Sequence, residues 1–333
     1  MTERMAQALL GWYEKNKRDL PWRGGQDAYR TWVSEIMLQQ TRAEAVKGYF
    51  IRFVEALPSI KDLAGVDDDR LMKLWEGLGY YSRARNLKRA AQVVVREHGG
   101  ALPSPPEELL KLPGIGLYTA GAIASIAYGV PVPAVDGNVL RVCARLDADF
   151  TDIALDRTKR DVSARLLRVI PQDRPGDFNQ ALMELGACVC LPNGLPNCGG
   201  CPLVDDCLAH AQSMTAALPV KSPKKPRRIE ERQLLILRCG DRLALRRRPP
   251  KGLLAGLWEL PEEMHIEQNL IVSDEDAGTA VHIFTHIEWH MSARKITVSA
   301  APEVDGLVWV TQEELMRDYA LPSAFAGFRD KMF

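Results

Sequence analysis

The chain has no excess of charge of either sign: 43 Lys and Arg stand against 43 Asp and Glu, for a formal net charge of zero. Bulk electrostatics therefore give no signal of a nucleic-acid partner, and any contact with a polyanion has to be local. Long hydrophobic runs are missing too. The most apolar window, around 119–135, is broken by Gly129, Pro131 and Pro133, which excludes a membrane span there. The opening Met-Thr-Glu-Arg-Met has neither a basic region nor an apolar stretch, so no signal peptide is expected and cytoplasmic residence is the default. Seven cysteines, an odd number, argue against a disulfide scaffold in such a chain. There is no internal repeat and no long low-complexity segment.

What is present suffices for about two domains with sizeable cores, at 333 residues. Up to about residue 213 apolar residues recur at three- and four-residue spacing. The spacing predicts helices over 5–13, 28–38, 42–57, 69–78, 84–95, 116–127, 138–146, 158–169 and 178–187. Pro219 to Pro226 reads as an interdomain linker of Pro, Lys and Ser. Beyond it the period changes to two: Leu234 and Ile236 alternate with Leu235 and Leu237, a Cys239-Gly240-Asp241 turn follows, and Leu243 and Leu245 continue the pattern. Further strands are expected at 281–287, 294–300 and 306–310, with a helix at 311–318. The expected organisation is a helical domain over 1–213, a linker over 214–231 and a small α+β domain over 232–333. Between Lys221 and Arg248 eleven Lys or Arg face three acids, as either a phosphate-facing strip or a solvated linker followed by a polar hairpin.

Three constellations carry chemistry. In Leu112-Pro113-Gly114-Ile115-Gly116 the proline and first glycine stop one helix, and Gly116 opens the next. Such a turn lets a DNA phosphate approach free backbone N–H groups at a helix N-terminus, where the dipole favours an anion. Asp136, in Val135-Asp136-Gly137-Asn138-Val139, stands at the mouth of the following helix. Taken alone it is an N-cap; placed just after a phosphate anchor it suggests an enzyme working on a nucleotide within DNA. Glu35 shares a helix face with Trp32, Ile36 and Gln39, where lost hydration raises a carboxyl's pKa and suits it to donate a proton near neutral pH. Cys190, Cys198, Cys201 and Cys207 form Cys-x7-Cys-x2-Cys-x5-Cys. The single Cys-x2-Cys pair favours an iron–sulfur cluster over zinc, although spacing alone lets Cys188 replace Cys190. Cys143 and Cys239 read as small apolar residues.

Together these parts resemble the helix-hairpin-helix DNA glycosylases, and nearly the whole chain, from Leu20-Pro21-Trp22-Arg23 to about Trp309, is similar to the adenine DNA glycosylases of the MutY family. The motifs that carry the likeness are the Trp32–Thr41 segment, Leu74-Trp75-Glu76-Gly77-Leu78-Gly79-Tyr80-Tyr81, the hairpin, Val-Asp-Gly-Asn-Val, the cysteines, and Gly252-Leu253-Leu254-Ala255-Gly256-Leu257-Trp258-Glu259. The resemblance implies a mainly α fold of two helical subdomains with an iron–sulfur loop, followed by a Nudix-like α+β domain. It implies Glu35 as general acid and Asp136 as the carboxylate that stabilises the sugar cation. Arg23, Tyr118 and Asn138 match positions that line the adenine pocket. Leu38, Gln40 and Tyr80 match residues that probe the base stack; Gln39 and Thr41 share their DNA-facing segment, and Gly114 and Gly116 the phosphate anchor. Phe284, Thr285 and His286 match the loop that contacts 8-oxoguanine. The implied cofactor is a [4Fe–4S] cluster on Cys190, Cys198, Cys201 and Cys207. The implied partner of a monomeric, nucleoid-associated enzyme is duplex DNA with adenine opposite 8-oxoguanine or guanine.

Tyr118 separates close relatives. Endonuclease III-like members place a lysine there and form a Schiff base with the sugar; a tyrosine cannot, so base removal without efficient strand cutting is expected. The sequence departs from the family in Thr285, where serine is frequent, and in the seven-residue first cysteine gap, where six is common. Nudix hydrolysis is not expected, because Leu270-Ile271-Val272 replace the acids that would hold Mg²⁺. The competing readings are an endonuclease III-like glycosylase/lyase and a non-catalytic iron–sulfur DNA-binding protein.

Overall fold

The computed structural model describes residues 1–223, 226–262 and 264–333; Lys224 and Lys225, in the expected linker and basic stretch, lie outside the described residues. The helices along the chain are α1 (Glu3–Asn16), α2 (Ala28–Leu38), α3 (Ala43–Ala56), α4 (Ile60–Gly65), α5 (Asp68–Leu74), α6 (Ser82–Glu97) and α7 (Pro106–Leu109). After the hairpin come α8 (Leu117–Tyr128), α9 (Gly137–Leu146), α10 (Asp156–Leu167), α11 (Pro175–Cys188) and α12 (Leu208–Ala211). The strands are β1 (Arg228–Cys239), β2 (Arg242–Arg247), β3 (Trp258–Glu259), β4 (Ile271–Ile283), β5 (Ile287–Val298) and β6 (Leu307–Val310), with α13 (Gln312–Asp318) near the end. The chain forms two compact units. One comprises Met1–Gly65 and Arg85–Pro223, the other Val66–Ala84 and Lys224–Phe333.

The first unit is helical. In α1, Thr2 accepts a bond from the Met5 N–H, and Met5, Leu9 and Tyr13 bury one stripe. That stripe joins Val142, Phe178, Leu182 and Leu185 in a core shared by α1, α9, α10 and α11. Helix α2 is capped by Asp27, whose side chain accepts from Arg30 N at 3.0 Å, and packs against α3 and α8. The hairpin consists of α7, the turn through Gly114 (φ +78°) and α8. A side chain at Gly114 would be doubly disfavoured, by the left-handed backbone and by a Cβ only 2.7 Å from that of Asn86.

Asn179 on α11 is fully buried and hangs the segment before Asp136 in place. Its Nδ2 donates to the Val132 carbonyl at 2.9 Å and to Ser125 Oγ at 2.8 Å, while its Oδ1 accepts from Ala134 N at 3.0 Å. The apolar period alone made this residue just another member of the 178–187 helix.

In the second unit the sheet runs β3-β2-β1-β5-β4, with β6 also paired to β2. β1 lies parallel to β5 from Arg228↔Ile287 to Cys239↔Val298, and over residues 234–237 both of its faces are covered. Leu234 and Ile236 enter one core with Trp289, Phe325 and Phe328; Leu235 and Leu237 enter another with Ile296 and Val298. The strand expected at 281–287 is instead the junction of β4 and β5. Residues 284–286 form the turn, closed by Phe284 N donating to the Ile287 carbonyl at 2.8 Å. No Gly, Asn or Pro marks this turn, so alternation alone ran straight through it. Most of β4 lies before the expected strand, where Asp274-Glu275-Asp276 interrupt any apolar alternation; acids are suited to an edge strand. The helix expected over 69–78 stops at Leu74, because Gly77, Gly79 and Tyr80 adopt left-handed backbone. β1 begins inside the stretch expected to be linker.

Three arginines of the basic stretch pair with acids of their own domain. Glu259, 1% exposed, accepts from Arg232 at 3.1 Å, from Arg246 at 3.0 Å and from Arg248, and Glu262 accepts from Arg232 Nε at 3.0 Å. These arginines hold carboxylates within the domain, which leaves both expected readings of the stretch incomplete.

Asn179→Leu removes the partners of two buried backbone groups. At about 1–3 kcal/mol for each, urea denaturation of the variant should show a loss of about 2–6 kcal/mol.

Candidate active site

Glu35 sits on α2 with only 5% exposure. Burial is the main cause that pushes its pKa from the ordinary 4.5 to about 7; the negative charge of Asp136 adds to the rise, while a hydrogen bond from Tyr118 and the charge of Arg23 oppose it. The Tyr118 hydroxyl donates to Glu35 Oε2 and also lies 3.2 Å from Met183 Sδ. Burial, together with the neighbouring carboxylates, raises the Tyr118 pKa well above its usual value, so the phenol stays a donor. Glu35 therefore keeps its proton well above the ordinary carboxylate range.

Asp136 is the N-cap of α9, as its bland reading required, and more besides. Its Oδ1 accepts from Val139 N at 2.8 Å and its Oδ2 from Asn138 Nδ2 at 2.8 Å. Burial raises its pKa, whereas those N–H donors and Arg141 favour the anion. The cap thus fixes the carboxylate and leaves it within electrostatic reach of Glu35.

Asn138 is held in turn. Its Oδ1 accepts from Arg141 Nη2 at 2.8 Å, and a Cβ on Gly186 would stand 2.6 Å from the Asn138 Cβ. Arg141 also donates to the carbonyls of Gly186 and Cys190, each at 2.8 Å. One turn on, Arg145 donates to Cys190 Sγ at 3.2 Å and to the Leu191 carbonyl at 2.9 Å.

Arg23 places a guanidinium nitrogen 2.8 Å from Glu184 Oε2, and Arg18 holds the other oxygen at 2.7 Å. Burial works to raise the Glu184 pKa, but the two guanidinium groups win and bring it to about 2. Sequence reading passed over Arg18, Glu184, Arg141 and Arg145. A signal existed for Glu184, the single acid in the apolar run 181–187.

At the hairpin, Gly116 caps α8 without any side-chain bond, and a Cβ there would meet open space. The first N–H groups of α8 therefore donate to no capping side chain at Gly116. Leu38 and Gln39 end α2 half-buried, and Gln39 Nε2 donates to Thr119 Oγ1 at 3.4 Å. Gln40 follows, exposed and left-handed (φ +60°), and Thr41 N donates to the Leu38 carbonyl at 3.2 Å. Glu35, Tyr118, Asp136, Asn138 and Arg23 thus lie in one electrostatic neighbourhood, with Leu38–Thr41 one turn beyond Glu35.

Cys190, Cys198, Cys201 and Cys207 line a common cavity of about 30 Å³ with Val142, Arg145 and Leu185. Cys188 does not line it; its thiol donates toward Glu184 at 3.8 Å, which separates two cysteines that spacing could not. Among the described residues no group of three such side chains converges on a single ion site. Four thiols around an apolar-walled cavity beside a buried guanidinium suit a polynuclear anionic cluster.

The second unit holds the remaining candidates. Phe284 turns inward, its ring 4.9 Å from that of Trp289, edge-on. Thr285 and His286 are exposed at the hairpin tip, and Thr285 Oγ1 lies 2.8 Å from the Tyr80 hydroxyl.

The profile described as HhH-GPD superfamily base excision DNA repair protein matches residues 33–184, and that of the NUDIX domain matches residues 233–330. Fold and site thus define a base excision DNA repair enzyme built on the helix-hairpin-helix. An adenine DNA glycosylase of Arabidopsis thaliana is 38% identical over 353 residues, 86% of this chain but 56% of that longer protein. One of Mus musculus is 36% identical over 383 residues, covering 92% of this chain and 73% of its own length. Among solved structures, a thermostable thymine-DNA glycosylase aligns with a TM-score of 0.57 and 28% identity over 63% of this chain and 96% of its own. The chain belongs to the adenine DNA glycosylase family, hydrolases of N-glycosyl bonds in base excision repair. No helix among the described residues is long and apolar enough to cross a membrane.

A buried acid with a raised pKa costs stability. Between pH 4.5 and 7 the folded state keeps a proton on Glu35 that the unfolded state has released, so stability falls as pH rises. Glu35→Gln should therefore be more stable than the parent at pH 8, by up to about 3 kcal/mol, and the two should converge near pH 4. Parallel stability curves in chemical denaturation across that range would contradict the buried-acid assignment.

Proposed function

We propose that the enzyme removes adenine mispaired with 8-oxoguanine or guanine in duplex DNA, as a monofunctional and monomeric glycosylase. The observation that carries this reading is the pairing of a buried Glu35, its pKa raised by desolvation to about 7, with a helix-capping Asp136. Adenine leaves the base stack to be reached. Glu35 donates its proton to N7, which makes the base a better leaving group, and Tyr118 keeps the Glu35 carboxyl oriented. As the bond from N9 to C1′ breaks, positive charge grows on the deoxyribose, and the Asp136 carboxylate stabilises it. Water adds to C1′ and gives up its proton to the Glu35 carboxylate, which restores the acid for the next turnover. Asn138 fixes Asp136; Arg23, braced by Glu184, borders the base pocket.

On the same reading, Gly114 and Gly116 present α8's N–H groups to a phosphate, and Leu38, Gln39, Gln40, Thr41 and Tyr80 meet the duplex around the lesion. The proposed catalytic domain is 1–213 and the proposed lesion-reading domain is 232–333, joined by 214–231, with Thr285 and His286 toward 8-oxoguanine and Phe284 bracing the loop. Cys190, Cys198, Cys201 and Cys207 would hold a [4Fe–4S] cluster, which supplies a rigid frame for the 190–207 loop and the capacity for one-electron chemistry. The absence of an amine at Tyr118 supports base release over strand cleavage.

Duplexes carrying single mispairs, scored separately for free base and for strand scission, test the proposal. The parent should release adenine with little scission, and Glu35→Gln should bind duplex normally while releasing none in single turnover. Wild-type turnover in that variant removes Glu35 as the acid. Cys198→Ser should lose the visible absorption of an iron–sulfur protein and bind DNA more weakly. A colourless parent that contains zinc contradicts the cluster.

A further inference from the structure

The stretch Val66–Ala84 interrupts the helical unit in sequence but packs with the C-terminal unit. Four ties hold it. Lys73 Nζ donates to the carbonyls of Leu315 at 2.9 Å and Tyr319 at 3.1 Å. Asp69 accepts from Arg247 at 2.7 Å. Glu76 Oε1 accepts from Leu321 N and from Arg329 Nη2, each at 3.2 Å, while its Oε2 pairs with Lys73 at 2.7 Å. Tyr80 bonds to Thr285 as above. Glu76 is unlike an ordinary surface ion pair: its side chain is 18% exposed and it joins a helix, a main-chain amide and the 3₁₀ segment Ser323–Lys331.

What Glu76 secures is a strained turn. Gly77 (φ +96°), Gly79 (φ +69°) and Tyr80 (φ +47°) are all left-handed, and Tyr80 bears a large side chain, 46% exposed. Such a conformation persists only when its surroundings over-determine it. On the inner side Trp75 Nε1 and Arg83 donate to the Gly79 carbonyl at 3.1 and 3.2 Å, and the Arg83 guanidinium lies 5.6 Å from the centre of the Tyr80 ring. On the outer side Glu76 anchors the start of the turn to Leu321 and Arg329.

We infer that Glu76 is a positioning residue for Tyr80, through which the C-terminal segment 321–329 sets discrimination at the lesion. The inference rests on the proposed role of Tyr80 as a probe of the base stack. The charge on Glu76 holds Lys73 and Arg329 together; this fixes where the turn begins, and so where the Tyr80 ring stands when DNA arrives. The ratio of single-turnover rates for adenine opposite 8-oxoguanine and opposite guanine reads that placement.

Three variants and one double variant, all in the full chain, test it. Glu76→Gln keeps an acceptor for the Leu321 amide but loses the charge, and should lower the ratio about tenfold. Arg329→Met, which leaves Glu76 itself intact, should lower it in the same direction, and both should speed amide exchange over 77–81. Tyr80→Ala should lower the ratio at least as much, and Glu76→Gln should add nothing in the Tyr80→Ala background. A purely structural loss would instead subtract equally in both backgrounds, which overturns the inference. It is also overturned if Tyr80→Ala lowers the ratio while Glu76→Gln and Arg329→Met do not. An unchanged ratio in Tyr80→Ala removes the stack-probe reading itself, and the inference with it.

Discussion

The active-site half of this molecule depends on the capped N-terminus of one helix. Asp136 satisfies a backbone donor of α9, and the same contact fixes a carboxylate where, in the proposed mechanism, positive charge develops. From that cap the helix carries Asn138, Arg141 and Arg145 in succession, each hydrogen-bonded to the next layer and ending at Cys190. The fold could not relax one member without disturbing the others, since Arg141 is the shared donor for Asn138, Gly186 and Cys190. The structural account of Asp136 and its proposed catalytic role thus rest on the same contact.

Burial divides the labour among the acids. Glu35 and Glu184 are both almost wholly inaccessible, at 5% and 1%, yet their pKa values move in opposite directions. Two guanidinium groups compensate Glu184 and keep it ionised. Glu35 has only a phenol and a more distant arginine, and desolvation prevails. Opposite protonation states at one pH follow from neighbours rather than from residue type.

The helical half was largely legible because its signals are local. Apolar period, caps and the Pro-Gly breaks placed α1 to α3 and α6 to α11 within a few residues, except for the four-residue α7 that the hairpin turn concealed. Glu35, Asp136 and the cysteines could be singled out because short motifs carry them. Their supports could not, since Asn179, Arg141 and Glu184 act across dozens of residues that no periodicity links. The sheet was harder: an edge strand rich in acids and a turn without glycine both defeat alternation. The choice between Cys188 and Cys190 needed three dimensions.

The excursion of Val66–Ala84 also bears on how the chain is made. Its partners lie 178 to 253 residues further along. At bacterial-type or eukaryotic synthesis rates the segment waits roughly 9 to 50 seconds for them. During that interval most of the flanking helical sequence has left the ribosome, and the turn that carries Tyr80 lacks the groups that later anchor its left-handed backbone. Long-range closure of this kind slows folding, because chain entropy is spent before the contacts return it. The segment around Leu321–Lys331 therefore completes one that is translated well before it, and a nascent chain interrupted between the two keeps an unfinished surface on Val66–Ala84.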